Sequence, residues 1–524
     1  MTNETYPITV ASVLDAPASQ HWPAAAAAGL ACLVMALLAQ RWLTVDPLGD
    51  VPVVGKGSRW ARKKQFAQGK AEQLYRDGYN QFKDSIFRIT TATKRDTICV
   101  PPKYLPELRK LPDDVVSFPK ATLELMHSKY TKFRPGNPIF FNAVRTSLTQ
   151  GLPRLNLTVS DEVTEAMRLE LPQSTDWSEF NVTSKILRIV AMVSGRIFIG
   201  SELCRDEKYI NASINYTVYL MAAVDDIGQV PLFLRPLIAP WLPKTRKLYR
   251  FINDAVAIFL PVIKARRKAA KKDDYQAPDD MLQWILSGQR KYGAVSDYNL
   301  AIIQLQASFA AIHTTTSATV NAIYWLAAKP ELIPMLRDDV QQALLESGGK
   351  FTSSALQNMK KLDSFLKEVM RLNPITTGSF TRKVLKPVKL PNGQTIPSDM
   401  FIETPTVGIH RDAEIFTDPE TFNPLRFYNL REIKTHTEPG TQAAEVTVQA
   451  QCVSVSTTNL AFGYGKHACP GRFFAVNEMK MIMSNLLCQY DVRLPDGVTE
   501  RYKNLAHGRV LAPDPSKTVM VRKV

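Results

Sequence analysis

The sequence is poor in cysteine, and it has fewer acidic than basic side chains. Its six cysteines are scattered through 524 residues and no two have CxxC spacing, which excludes a disulfide scaffold and argues against a structural zinc site. It contains no helix-turn-helix, zinc-finger or RNP pattern, so the surplus of 65 Lys and Arg over 49 Asp and Glu is weak evidence for nucleic acid. The net charge of +16 favours acidic proteins or an anionic membrane surface as partners.

One long uncharged run lies near the N-terminus. The eighteen residues 22–39 carry no charge, which is the lower limit for a helix that crosses a bilayer, and basic residues follow this run but do not precede it. The positive-inside rule then predicts a short lumenal N-terminus at 1–21, a transmembrane anchor at 22–42, a Pro- and Gly-rich linker at 43–60 and a cytoplasmic domain at 61–524. The alternative is a buried, alanine-rich core helix.

Helical patterns dominate the predicted domain. The predicted helices are 296–328 with Ser296 as its N-cap, 329–346, 354–372 and 471–488. Short β-prone runs between 384 and 404 flank Asn392-Gly393, which is a hairpin signal. The predicted fold class is therefore mainly α with a small antiparallel β portion.

Two segments interrupt the helical pattern. Residues 434–456 are polar and contain a Pro-Gly pair, which predicts a loop. Residues 230–243 are strongly apolar but are broken by four prolines, which excludes a regular helix. We expect this apolar segment either to be buried or to dip into a membrane beside the anchor, and the sequence leaves both alternatives open.

The most informative segment surrounds Cys469. Its sequence is FGYGKHACPGRFFA from Phe462 onwards, in which two glycines allow a tight bend and a helix begins after the cysteine. A sulfur at a helix N-terminus faces unpaired N–H groups and the positive end of the helix dipole, and both favour the thiolate. A thiolate held in this way can bind a metal, act as a nucleophile or react with oxidants.

This segment resembles the haem-binding signature of cytochromes P450, FxxGxxxCxG, at every fixed position. Phe462, Gly465, Cys469 and Gly471 occupy those positions. The resemblance implies the cytochrome P450 fold over about residues 60–524, with haem b as cofactor and the Cys469 thiolate as the axial ligand of its iron. The anchor is typical of the microsomal form of the family.

Two further motifs follow the family's order. Glu368 and Arg371 match its ExxR pattern, and at this spacing they share one helix face. Arg426 lies in FNPLRF, which resembles the family's PxRF segment. The resemblance implies that these three residues form a structural Glu-Arg-Arg network, since buried charges need such pairing.

The long predicted helix resembles the family's oxygen-handling motif. Thr314 takes the place of the threonine that holds dioxygen in this family, whereas Ala311 and His313 replace its glycine and acid. His313 is expected either to relay protons or only to pack beside the pocket. The A-x-H-T-T form resembles filamentous-fungal members that oxidise terpenoids, of the ent-kaurene oxidase type.

The resemblance also implies the residues that contact haem and substrate. Haem propionates need cationic or donor partners, and the candidates are His467, Arg382 and, if Phe141 replaces the family's tryptophan, Arg145. Phe462 belongs to the cofactor-binding loop. The predicted substrate pocket is lined by Phe309, Ala310, Thr376 and Thr377.

Together these features predict a monooxygenase of the endoplasmic reticulum membrane with a cytoplasmic catalytic domain. It is expected to insert oxygen from O2 into an apolar terpenoid or meroterpenoid in secondary-metabolite biosynthesis. Because the chain has no flavin or nicotinamide fingerprint, its electrons are expected from NADPH-cytochrome P450 reductase, and the resemblance also allows cytochrome b5 as a partner. The alternatives are a reductase-independent isomerase or peroxygenase of the same fold and a non-catalytic, membrane-tethered haem-binding protein; the presence of Thr314 favours the monooxygenase.

Overall fold

The structure is a computed structural model that describes residues 48–93, 95–134, 137–437 and 441–524, together with isolated positions between 27 and 35. The chain divides into two units, Met1–Val51 and Pro52–Val524. The predicted lumenal segment lies outside the described residues, and so does the predicted anchor apart from those isolated positions. Within the described ranges, no helix has both the length and the apolar character needed to cross a membrane.

Helices form most of the second unit. In chain order the described α-helices are α1 Arg59–Gln65, α2 Ala71–Gln81, α3 Leu105–Leu108, α4 Phe118–Leu125, α5 Ser128–Thr131, α6 Pro138–Asn142, α7 Thr149–Glu170, α8 Val182–Phe198, α9 Glu207–Gln229, α10 Arg235–Ile238, α11 Pro243–Ala269, α12 Met281–Tyr292, α13 Asp297–Ala328, α14 Ile333–Leu345, α15 Ser353–Asn358, α16 Lys360–Leu372, α17 Thr406–Ile409, α18 Arg426–Thr437, α19 Thr441–Ala450 and α20 Arg472–Gln489. The helices α7, α8, α13 and α20 pack on one another around the main hydrophobic core.

The long helix α13 has the predicted bounds and the predicted cap. The backbone N–H of Asn299 donates to Ser296 Oγ (3.3 Å), which satisfies one of the unpaired donors at the helix start. Most of α13 is buried all round, so its stability comes from packing against several neighbouring helices rather than from one apolar face.

The strands form a mixed sheet and three small antiparallel groups. In chain order they are β1 Val53–Val54, β2 Phe87–Ile89, β3 Thr97–Cys99, β4 Val116–Ser117, β5 Ser178–Asn181, β6 Ser379–Val384, β7 Val388–Lys389, β8 Thr395–Ile396, β9 Phe401–Thr404, β10 Tyr490–Arg493, β11 Asn504–His507, β12 Val510–Pro513 and β13 Thr518–Lys523. The largest sheet has the order β1-β2-β3-β9-β6-β4, and β10-β13-β5, β11-β12 and β7-β8 are antiparallel.

The β portion differs from its prediction in one respect. The pairs β1-β2 and β3-β9 are parallel, so the largest sheet is mixed rather than antiparallel. These pairs join strands far apart in the chain, and hairpin signals report only local pairing. The predicted hairpin at Asn392-Gly393 is present as β7 and β8. Strand β1 lies within the predicted linker, so the sheet begins before residue 61.

Two other predictions were wrong in detail. The predicted helix 354–372 is broken at Met359, where φ is −69° and ψ is 67°, into α15 and α16. The predicted loop at 434–456 contains the end of α18 and all of α19. Its C-terminal part is held by a buried lysine of α16, because Lys367 Nζ donates to Gln451 O (3.0 Å) and to Ser454 Oγ (2.8 Å). Such long-range contacts have no local sequence signal.

The apolar segment 230–243 is irregular, as predicted, and several of its large side chains are exposed. It contains the single turn α10 and a 3-10 turn at Ala239–Trp241. Phe233, Leu237 and Trp241 are 78%, 71% and 71% exposed. Their exposure excludes the alternative in which this segment is buried in the domain core.

Candidate functional site

The cysteine segment forms a tight loop between Leu460 and α20. The N–H of Gly463 donates to Leu460 O (2.9 Å), and the N–H of Cys469 donates to Phe462 O (2.8 Å). Gly463 and Gly465 have φ values of +76° and +74°, and a Cβ on Gly465 would lie 2.9 Å from Arg109 Cβ. Both glycines are therefore required by backbone conformation, and Gly465 also by close packing.

Cys469 is exposed at the end of this loop, and α20 begins three residues later. Although the residue is exposed, the protein atoms packed around its sulfur limit hydration, and this desolvation raises the pKa of the Cys469 thiol. The N–H groups of Gly471 and Arg472 and the Arg472 guanidinium oppose that rise. The helix end alone thus does not produce the predicted thiolate, because the loss of hydration outweighs it. A bound metal ion deprotonates a coordinating thiol outright, which restores the predicted state.

The long helix α13 is open at one place in its middle. Between 299 and 329, a range that the structure describes completely, only Ala310 and Thr314 are exposed. Residues four apart share a helix face, so the open space beside α13 is bounded by these two side chains. Thr314 Oγ1 donates to Ala310 O (2.8 Å), which keeps the hydroxyl on this face.

The neighbours of Thr314 in the sequence are more enclosed. His313 Nε2 lies 3.0 Å from Ile214 O in α9, so this nitrogen carries the proton and donates it to the carbonyl. Burial lowers the pKa of His313 below its ordinary value, which favours the neutral ring. The Phe309 ring makes edge contacts with Phe133 (5.3 Å between centroids) and Tyr216 (6.4 Å).

The two threonines predicted for the substrate pocket differ in exposure. Thr376 is half-buried and its Oγ1 donates to Gly378 O (2.8 Å). Thr377 is fully buried, and its N–H donates to Arg509 O (2.9 Å) at the turn between β11 and β12. A fully buried side chain does not line an open pocket, so the structure leaves Thr376 but not Thr377 available for such a role.

The predicted Glu-Arg-Arg network is present and buried. Glu368, Arg371 and Arg426 are 0%, 2% and 9% exposed. Arg371 Nε and Nη2 donate to the two Glu368 carboxylate oxygens (2.8 Å each), and Arg426 Nε donates to Glu368 Oε1 (3.1 Å). The remaining donors of the two arginines reach backbone carbonyls between His410 and Thr421, which ties α16 to that segment.

The cationic candidates surround the cysteine loop. Arg145 Nη2 donates to Lys466 O (3.3 Å), and His467 Nε2 lies 2.9 Å from Asp113 Oδ1 with its ring stacked on Phe118. Asp113 also accepts from Lys466 Nζ (3.1 Å). Asp113 and Arg109 lie in no recognisable motif, so the sequence alone does not predict their places beside the cysteine loop.

Arg382 is the strongest indication of an anionic ligand. Its side chain is 5% exposed, and its hydrogen bond is to Thr381 O (2.9 Å). Among the described residues, no carboxylate lies within ion-pair distance of it. Burial lowers the pKa of Arg382 to about 10, with Asp113 opposing that shift. A buried guanidinium needs an acid for compensation, so the donor set fits a ligand that carries carboxylates.

These residues fit a haem group. A flat, dianionic macrocycle with a metal centre requires a metal ligand, space for its faces and a cation for its carboxylates. The exposed thiol of Cys469 supplies the ligand, the glycine-bounded loop and the open face of α13 supply the space, and Arg382 supplies the uncompensated cation. A mainly helical domain that offers a cysteine sulfur to such a group belongs to the class of haem-thiolate proteins.

The comparisons with known proteins agree with this class. The chain matches the Cytochrome P450 family model over residues 118–520. Cytochrome P450 monooxygenase ATR3 of Stachybotrys chlorohalonatus is 39% identical over 431 residues, which are 82% of this chain and 89% of that protein. Cytochrome P450 monooxygenase olcJ of Penicillium canescens is 34% identical over 482 residues, which are 90% of this chain and 88% of that protein.

A solved structure shows the same fold. The retinoic acid bound cyanobacterial CYP120A1 has a TM-score of 0.68 and 20% identity, and the match covers 90% of this chain and 99% of that one. The chain belongs to the cytochrome P450 family, as a cytochrome P450 monooxygenase that binds haem through an axial cysteine thiolate.

Proposed function

We propose that the protein is a membrane-anchored haem-thiolate monooxygenase of fungal secondary metabolism. It inserts one oxygen atom from O2 into an apolar terpenoid or meroterpenoid, with electrons from NADPH-cytochrome P450 reductase. The observation that carries this proposal is the exposed Cys469 thiol in its glycine-bounded loop. Bound haem supplies the oxygen chemistry, and the side chains of this chain supply position and protons.

Thr314 is the residue to which we assign proton handling. Its hydroxyl lies on the open face of α13 and already has an internal acceptor in Ala310 O. A hydroxyl can rotate, so it can donate to a reactant beside the helix and accept a proton in return. His313 has committed Nε2 to Ile214 O, which leaves only Nδ1 for a relay. We therefore assign His313 mainly to holding α9 on α13.

The pocket wall suits an apolar substrate. Phe309 is held by the aromatic rings of Phe133 and Tyr216, and Ala310 leaves space beside it. Rigid apolar walls orient a substrate that has no polar handles by shape, and orientation then selects the C–H bond. The A-x-H-T-T sequence supports a terpenoid as that substrate, by its resemblance to terpenoid-oxidising members.

Membrane association is supported by two separate segments. The uncharged run at 22–39 has the length of a minimal anchor. The apolar side chains Phe233, Leu237 and Trp241 are exposed on the segment 230–243, and the Arg246 guanidinium lies 5.8 Å from the Trp241 ring centroid. Aromatic and basic side chains together are typical of surfaces that enter the lipid interface. We propose the endoplasmic reticulum membrane as the location.

Isotope labelling with a reconstituted system tests the function. The protein, a reductase, NADPH and ¹⁸O₂ are incubated with diterpene hydrocarbons, and linear alkanes of the same carbon number serve as the control substrates. We expect a diterpene product with one labelled oxygen atom, formed only with the reductase. Product formation from a hydroperoxide alone, with none from the reductase system, would favour the peroxygenase alternative.

A further inference from the structure

A buried histidine connects the Glu-Arg-Arg network to the cysteine loop. His410 follows α17 and is 0% exposed. Its carbonyl accepts from Arg371 Nη1 (2.6 Å), and its Nδ1 lies 3.1 Å from Arg371 O. The turn that carries His410 is therefore fixed to the end of α16 by bonds in both directions.

The other ring nitrogen of His410 reaches the loop that carries the cysteine. The backbone N–H of Leu460 donates to His410 Nε2 (3.2 Å). Because Arg371 O can only accept and Leu460 N–H can only donate, Nδ1 must carry the proton and Nε2 must be bare. One neutral tautomer satisfies both partners. Burial lowers the pKa of His410 to about 3, so this tautomer persists at ordinary pH.

Leu460 is the first residue of the loop that ends at Cys469. Its carbonyl accepts from Gly463 N–H (2.9 Å), and the next turn of the loop is closed by Cys469 N–H and Phe462 O (2.8 Å). Three hydrogen bonds thus connect Arg371 O to the turn that precedes the cysteine. His410 Nδ1 donates to Arg371 O, Leu460 N–H donates to His410 Nε2, and Gly463 N–H donates to Leu460 O. Leu460 itself is 1% exposed, so water cannot replace the imidazole as its acceptor.

We propose that His410 is a positioning residue for the haem ligand, which fixes the start of the cysteine loop on the Glu-Arg-Arg network and so holds Cys469 at the iron. The assignment rests on Cys469 as the ligand of haem. The hydrogen bond from Leu460 N–H to His410 Nε2 positions the cysteine loop. The bond from His410 Nδ1 to Arg371 O fixes only the turn that carries His410.

Two amide variants separate these two hydrogen bonds, because each places a polar atom near only one of the two ring nitrogens. In His410→Gln the side-chain oxygen reaches the place of Nε2 and can accept from Leu460 N–H. In His410→Asn the shorter amide reaches only the place of Nδ1 and can donate to Arg371 O, so Leu460 loses its acceptor. His127→Asn, which alters a partly buried histidine outside this chain of bonds, is the matched control.

Two properties are measured for each variant: the lifetime of the thiolate-type Soret band of the reduced carbon-monoxide complex, and the thermal unfolding midpoint. We expect the band of His410→Asn to decay about 10- to 100-fold faster than that of the wild type, the usual cost of losing a residue that supports a metal ligand. The bands of His410→Gln and His127→Asn should keep lifetimes near that of the wild type.

Three outcomes contradict the proposal. Unchanged lifetimes in both His410 variants would mean that the loop holds its position without the imidazole. If the band lifetime fell equally in both His410 variants, and their unfolding midpoints fell equally as well, His410 would contribute only to the general stability of the fold. A shorter band lifetime in His410→Gln alone would mean that the hydrogen bond from Nδ1 to Arg371 O holds the cysteine loop, and not the bond from Leu460 N–H to Nε2. A wild-type protein that lacks the band would contradict the haem assignment itself, which is a separate failure.

Discussion

Thr314 gives the open face of α13 its only hydroxyl. We expect Thr314→Ala to lower the product formed per O2 consumed by about 10-fold or more, because a positioned proton donor contributes roughly 10²- to 10⁴-fold. Simultaneous measurement of O2 uptake and product checks this. Thr314→Ser keeps the hydroxyl and should keep most of the coupling. Unchanged coupling in the alanine variant would remove the role that we assign to this residue.

Glu478 is a buried acid that the site does not use. It lies on α20 at 0% exposure, with Ser194 Oγ (3.0 Å) as the donor to one oxygen of its carboxyl group. Burial raises the pKa of Glu478 from 4.5 to about 8. The folded protein therefore keeps a proton that the unfolded chain releases near pH 4.5, and the free energy of unfolding falls as the pH rises towards 8.

Glu478→Gln should remove this pH dependence. The wild type is expected to lose up to about 1.4 kcal/mol of stability per pH unit from this one group, and the glutamine variant should lack that contribution. Denaturant unfolding at several pH values between 5 and 8 measures the difference. Glu500→Gln, at an exposed position, is the control. Parallel pH profiles for Glu478→Gln and the wild type would contradict the prediction.

The motif residues could be found from sequence because their chemistry depends on local spacing. Glu368 and Arg371 share a helix face, and the glycines near Cys469 are needed for backbone reasons, so each pattern is readable in one segment. Asp113 and His410 could not be found in this way. Their roles depend on contacts with residues 354 and 50 positions away, and nothing in their own surroundings predicts those partners.

Helices whose bounds depend on caps and prolines were also predictable. Ser296 caps α13 as expected, and Pro374 is preceded by the end of α16. The segment 434–456, which contains the end of α18 and all of α19, is predicted to be a loop because its sequence is polar. Its order comes from buried charges on α16 and α20: Asp363 accepts from Cys452 N–H (2.9 Å), and it pairs with Arg431 and with Lys480 Nζ (2.8 Å).

Asp363 should therefore be essential for the attachment of α18 and α19 to α16. The charges of Lys480 and Arg431 hold the pKa of Asp363 below its ordinary value despite burial. Asp363→Asn leaves both cations buried without their anion, and we expect a loss of about 3–5 kcal/mol in the free energy of unfolding. Denaturant unfolding checks this.

Glu445→Gln, at an exposed position in α19, is the matched control for that measurement and should change stability by less than about 0.5 kcal/mol. Similar stabilities for Asp363→Asn and the control would show that the buried charges do not hold this segment.

The positive net charge of the chain favours docking of an acidic protein that supplies electrons. The net charge is +16, and Arg145 and Lys466 are exposed at the cysteine loop. Docking of an acidic reductase at such a surface is screened by salt, with a screening length of about 10 Å at 0.1 M. We expect reduction by the reductase to slow as ionic strength rises. Reduction by dithionite is the control, and salt-independent reduction by the reductase would contradict this docking mode.

The carbon-monoxide difference spectrum of the reduced protein shows whether Cys469 holds haem iron as a thiolate. Wild type, Cys469→Ala and Cys488→Ala are compared in membranes, since Cys488 lies near the C-terminal end of α20, half-buried and away from the loop. We predict a thiolate-type Soret band in the wild type and in Cys488→Ala, and none in Cys469→Ala. A well-folded wild type without this band, or a band that survives in Cys469→Ala, would mean that Cys469 is not the thiolate ligand of haem iron.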